Sequence, residues 1–159
     1  MNKILALKNF YFIIALLSIF TLVSAIYIEY VLGVRACKLC LYQRIPYIVA
    51  IFLCFFGYLN LKKPLWIYLL TFNFLLSLIL ASYHSGIENN FFPEFSGCTA
   101  NNLNIVDKEE LINSLNYILP NCKDVSFKLI GFSLATINLF ISLIIFIISL
   151  LFIKNEKNR

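Results

Sequence analysis

Four stretches of this chain, about Phe10 to Ile28, Ile45 to Leu61, Leu65 to Tyr83 and Leu129 to Ile153, contain no Lys, Arg, Asp or Glu. A hydrocarbon layer about 30 Å thick is crossed by roughly 20 apolar residues rising 1.5 Å each, so every one of these runs is close to a membrane span in length. None alternates with period two, and in lipid a helix is the element that satisfies its own backbone, so helices are predicted rather than barrel strands. Composition agrees: 61% of the 159 residues are hydrophobic and 13% charged, where soluble domains carry about 25% charged residues. The expected fold class is an all-α integral membrane protein, a single membrane domain over residues 1–159 built as a bundle of four transmembrane helices.

The formal charge of +5 raises nucleic acid as a partner, but the basic residues stand singly or in pairs between apolar runs and form no stripe that follows a phosphate backbone. No nucleic acid is expected. The first run could instead be a cleaved secretory signal, since Lys3 and Lys8 precede it and Val23-Ser24-Ala25 resembles a cleavage site; its length exceeds the 7–15 residues of such a segment, and a retained span is the simpler reading.

Four spans put both termini on one side, together with the turn at Asn60 to Pro64. Lys3, Lys8, Lys62, Lys63, Lys154, Lys157 and Arg159 gather there in three short segments, which favours cytoplasmic termini. The loops at about 29–44 and 84–128 then face the other side. Arg35, Lys38 and Arg44 oppose that bias and draw attention to the first loop. Within the long loop, Asp107 followed by Glu110 reads as a helix start. Leu111, Ile112, Leu115, Ile118 and Leu119 share a face up to Pro120, which predicts a short amphipathic helix on the membrane surface or packed on a small core outside it.

Five cysteines are present and four lie outside the apolar runs. Paired disulfides persist in an oxidising compartment, which points to an extracytoplasmic face such as that of a bacterial inner membrane toward the periplasm. Cys37-Lys38-Leu39-Cys40 immediately precedes the second span, where a helix start stabilises a thiolate; Cys40 is expected to take that place. A C-x-x-C also serves zinc sites and haem attachment, but the haem version needs a following His, and position 41 is Leu. Cys98 and Cys122 stand in the long loop among polar neighbours that imply exposure. Alone they would read as a static disulfide; beside an exposed C-x-x-C on the same face, thiolate attack can pass a disulfide from one pair to the other.

Arg44 follows Cys40 by four residues, on the same helical face. An Arg near a helix N-terminus and close to lipid calls for an anionic partner, a Cys40 thiolate or the oxygen of a reduced quinone, unless it simply snorkels to lipid phosphates. His84, the one histidine, sits at the outer end of the third span, either as a structural residue or as a hydrogen-bonding or proton-transfer partner of a quinone carbonyl. Cys54 reads as a small buried hydrophobe, and Tyr42, Tyr47 and Tyr83 as interfacial aromatics.

Cys37-Lys38-Leu39-Cys40-Leu41-Tyr42-Gln43-Arg44 ahead of the second span, Tyr83-His84-Ser85-Gly86-Ile87-Glu88 closing the third, and Gly131-Phe132-Ser133-Leu134-Ala135 opening the fourth resemble the bacterial disulfide-bond formation protein B (DsbB) family over nearly the whole chain. In the related vitamin K epoxide reductase type the loop pair precedes the C-x-x-C, whereas here it follows. The resemblance implies a quinone-dependent oxidase of a soluble periplasmic thioredoxin-fold thiol oxidant, DsbA-like, using ubiquinone or menaquinone from the membrane pool. It implies that the reduced partner attacks Cys98 of a Cys98–Cys122 disulfide, that Cys122 passes the reduction to Cys37, and that Cys40 faces the quinone beside Arg44 and His84. Asn89-Asn90-Phe91-Phe92-Pro93 keeps the aromatic character expected before Cys98 but lacks the tryptophan-glycine pattern. Two other classes compete: a non-enzymatic membrane protein with loops stapled by disulfides, and a zinc site built from Cys37, Cys40, Cys98, Cys122 or His84; no metal is the expected reading.

Overall fold

The computed structural model describes residues 2–61, 63–94, 121–123, 125, 127–129 and 131–157. In chain order these form α1 (Asn2–Tyr30), α2 (Lys38–Tyr42), α3 (Ile45–Leu59), α4 (Leu65–Glu88), a two-stranded antiparallel hairpin of β1 (Lys128–Leu129) and β2 (Phe132–Ser133), and α5 (Leu134–Lys157). Among the described residues four stretches, Leu5–Tyr30, Lys38–Leu59, Leu65–Glu88 and Leu134–Lys154, are long and apolar enough to cross a membrane. The chain is a four-helix membrane protein.

Local chemistry sets where these helices begin and end. Pro46 lies in the first turn of α3, where its missing N–H costs nothing. Asn60 Nδ2 donates to the Phe56 carbonyl at 3.1 Å and Asn89 Nδ2 to the Ser85 carbonyl at 2.7 Å, each serving an otherwise orphaned oxygen at a helix C-terminus. Ser133 caps α5 by accepting the Thr136 N–H at 3.1 Å. That cap explains why the last helix starts at Leu134 and not near Leu129: Gly131, at φ +84, turns the chain back on itself first. The third long helix runs on to Glu88, past the expected end at Tyr83, so His84 lies within its last turns. The interfacial helix expected between Asp107 and Pro120 lies outside the described residues.

The helices pack in sequence, α1 on α3, α3 on α4 and α4 on α5. At one end the ring closes where Phe10 meets Phe152, centroids 4.7 Å apart. Tyr11, Ile14, Tyr47, Cys54, Ile67, Phe74 and Ile145 form the core, while Phe12, Phe20, Phe52, Phe55, Phe72, Ile144 and Leu151 point outward. Lipid is as apolar as those side chains, so helix association rests on close packing and interhelical hydrogen bonds. Asn73 Nδ2 donates to the Pro46 carbonyl at 2.9 Å, joining α4 to α3, and the hydroxyls of Ser77 and Ser142 meet at 2.9 Å, joining α4 to α5.

Gly57 lets α1 approach α3, because a Cβ there would come within 2.7 Å of the buried Tyr11 ring. Gly57→Ala is therefore expected to destabilise the bundle by about 1–3 kcal/mol, as overpacking does. Adding Tyr11→Leu should recover part of the loss, measured by unfolding of the detergent-solubilised protein; additive losses would place the strain elsewhere.

Candidate active site

The C-x-x-C segment folds as a cap. Cys37 is extended (φ −70, ψ 167) immediately before α2, and its Sγ accepts the Cys40 N–H at 3.2 Å. The helix-start position expected for Cys40 thus belongs to Cys37, because the turn begins at Lys38, ahead of the long span. One turn brings Cys40 Sγ to 2.9 Å from Cys37 Sγ, and both are free thiols. Cys37, 5% exposed, does not face water as an exposed C-x-x-C would, nor does Cys122, 2% exposed, as its polar neighbours implied; they pack together with Leu39 and Ile87, against Cys40 and Tyr83. Cys122 is disulfide-bonded. Cys98 lies outside the described residues.

His84, 2% exposed, places Nε2 3.6 Å from Cys37 Sγ and 3.8 Å from Glu88 Oε1. It is buried against the dithiol, and α4 continues a further turn beyond it. Its other nitrogen, Nδ1, lies 3.1 Å from Gln43 Nε2; Gln43 Oε1 accepts from Asn138 Nδ2 at 3.0 Å; and Asn138 Oδ1 accepts the Tyr47 hydroxyl. Glu88 Oε2 accepts the Ser133 hydroxyl, tying the end of α4 to the cap of α5. The His84-to-Glu88 and Gly131-to-Ala135 segments are thereby joined.

Arg44 finds a charge partner within the bundle. Its Nη1 lies 2.6 Å from Glu29 Oε2, both side chains half-buried, so the first span supplies the anion from its last turn. Gln43, Glu88 and Ser133 fall within the motifs that carry the family resemblance but had no role of their own there, and Glu29 and Asn138 were not singled out from sequence. Asn138 carried a signal, a carboxamide within an apolar run, where a polar group demands a partner.

A cavity of about 400 Å³ opens where α1 and α5 separate, at the opposite end from Phe10 and Phe152. Leu17, Phe20 and Ile28 from α1 and Ile137 and Ile141 from α5 give it apolar walls, and Cys37, Cys40, Arg44, His84 and Cys122 all reach its surface. The sulfurs of Cys37 and Cys40 and a His84 ring nitrogen lie within 4.8 Å of one another, spacing that a metal ion would tolerate. Cys122 is held in a disulfide and offers no thiolate, so the four-cysteine zinc set is not assembled.

Compared with known protein families, residues 7–152 match the one described as Disulfide bond formation protein DsbB. The chain belongs to the DsbB family. Membership makes it a membrane disulfide oxidoreductase. Comparison with curated proteins gave no match. The apolar bundle also fits the family's four-helix membrane architecture.

In this DsbB-family site the Cys37 thiol is held well below the ordinary value of 9.0, first by the hydrogen bond from Cys40; burial opposes the shift, and His84 adds to it. A depressed thiol is ionised at neutral pH and regains its proton only in acid. Relative to the unfolded chain, the stabilising increment is complete above the ordinary thiol value and declines as pH falls toward the folded one. Ultraviolet thiolate absorbance of the reduced protein should therefore persist through pH 7 and vanish in Cys37→Ser, whereas a thiol titrating near 9.0 would contradict the geometry. Glu29→Gln should leave Arg44 uncompensated and cost about 1–2 kcal/mol, with the double change Glu29→Gln, Arg44→Gln less costly than the single one, read by thermal unfolding.

Proposed function

We propose that this chain reoxidises a soluble thioredoxin-fold thiol oxidant and delivers the electrons to a membrane quinone. The observation that carries the reading is the cavity, whose apolar walls lead between α1 and α5 to a surface shared by Cys37, Cys40, Arg44, His84 and Cys122. A quinone is a flat ring with two acceptor oxygens on an apolar tail, and this lining matches it: donors at one end, hydrocarbon along the rest. When bound, it supplies an acceptor for two electrons and two protons. Arg44 and His84 would hold its ring, with the dithiol beside them.

The cysteines do the exchange. The partner's thiolate attacks Cys98 in a Cys98–Cys122 disulfide and releases Cys122. Cys122, packed beside Cys37, attacks Cys37 of an oxidised Cys37–Cys40 pair, and Cys40 leaves. Cys98, freed as the partner's second thiol resolves the mixed disulfide, then attacks Cys122 and expels Cys37. The loop disulfide is restored and the Cys37/Cys40 dithiol carries the two electrons. A sulfur of depressed pKa leaves fastest, and Cys37 is that sulfur. Returning the pair to the disulfide releases two electrons, and the two protons balance with them. The same reading places the chain in a bacterial inner membrane, termini cytoplasmic and cysteines periplasmic.

With a dithiol substrate, Cys40→Ser should lower quinone reduction at least 100-fold, followed by quinone absorbance in detergent or nanodiscs. Trapping with a thioredoxin-fold partner that lacks its second cysteine should give a mixed disulfide at Cys98. A Cys122 disulfide that resists mild dithiol, with no adduct, would favour the static, stapled-loop reading instead.

A further inference from the structure

We propose that Gln43 and Asn138 are positioning residues that fix the proton of His84 on Nε2, aimed at Cys37. The proposal deepens the reading of Cys37 as the leaving sulfur and rests on it for its functional meaning. Among the described residues, Cys37 Sγ, His84, Gln43, Asn138 and Tyr47 form one continuous chain of contacts drawn from the loop before α2, the turn after it, α3, α4 and α5. His84, Gln43, Asn138 and Tyr47 are all buried.

The chain has a direction because amides are two-ended. A carboxamide offers N–H on one side and an acceptor oxygen on the other. The Tyr47 hydroxyl donates to Asn138 Oδ1, which leaves Asn138 Nδ2 to face Gln43 Oε1; Gln43 must then present its own N–H to His84 Nδ1. A nitrogen that accepts cannot carry the proton, so in the neutral ring the proton sits on Nε2. That nitrogen faces Cys37 Sγ at 3.6 Å and Glu88 Oε1 at 3.8 Å, both acceptors. Reversing the order would require both amides to turn together inside a packed bundle, and would set a lone pair against the Cys37 thiolate.

Ser142 strengthens the far end. Its hydroxyl also approaches Asn138 Oδ1, at 3.4 Å, while lying 2.9 Å from Ser77 Oγ. Asn138 is thus oriented by two hydroxyls from the bundle interior, and the orientation is passed through Gln43 to the ring.

His84 is the single histidine, so ¹⁵N-histidine labelling reports the tautomer without assignment. In the reduced protein, with no quinone or partner, at a pH where the ring is neutral, ring ¹⁵N–¹H spectra should show the proton on Nε2. Gln43→Glu replaces the donor with an acceptor and should move the proton to Nδ1; Asn138→Leu frees the Gln43 amide to turn and should give a mixture. In both variants the Cys37 thiolate titration should rise by about one pH unit, a tenfold change in ionisation. A wild-type ring protonated on Nδ1 overturns the proposal even if neither variant folds, as does an unchanged tautomer in both folded variants. Failure of quinone reduction, by contrast, would sink the reading of the previous section while leaving these spectra intact.

Discussion

The site depends on a sulfur that is buried and yet met by hydrogen-bond donors. Burial alone would keep the Cys37 thiol protonated. Its surroundings reverse that: the Cys40 N–H and thiol reach it from the first turn of α2, and His84 reaches it from α4. Two of these contacts lie within the C-x-x-C segment itself, and the third, from His84, requires that α2 and α4 be held in register. Register in turn comes from the bundle, through Asn73 to Pro46 and Ser77 to Ser142.

Polar groups inside an apolar bundle are costly when unpaired, and this chain places several there. Gln43, Asn73, His84, Asn138, Ser133 and Ser142 are all buried, and each finds a partner on another helix or on the cap of its own. Such a network specifies the structure because a partly made one would be worse than none. It also divides the molecule along its length: aromatic and aliphatic packing around Phe10, Tyr11 and Phe152 at one end, amides, imidazole and sulfur at the other. The cavity lies at the second end, where α1 and α5 part.

Pairing of Arg44 with Glu29 changes how the site is read. A lone guanidinium there would need an anionic partner, whether a sulfur, a quinone oxygen or a lipid phosphate. With Glu29 present the charge is balanced before anything binds, and Arg44 is held at the cavity surface by α1, the same helix that forms one cavity wall. In the proposed reaction it acts as a fixed donor and not as a charge awaiting neutralisation.

Much was legible in the sequence. Uncharged runs of span length determine four helices because lipid leaves the backbone no other local solution, and Cys37-Lys38-Leu39-Cys40 determines a sulfur pair across one helical turn. Spacing also put Arg44 near that pair. It did not reveal that Cys122 is buried beside Cys37, that Glu29 answers Arg44, or that α4 runs on to bury His84, because these join residues 15 to 85 positions apart. Periodicity and local motifs describe what a segment does with its neighbours in the chain. That a donor from α4 joins Cys40 at the Cys37 sulfur, and which nitrogen of His84 faces it, was decided by side chains from separate helices meeting in a low-dielectric interior, where orientation is set by partners that only packing brings together.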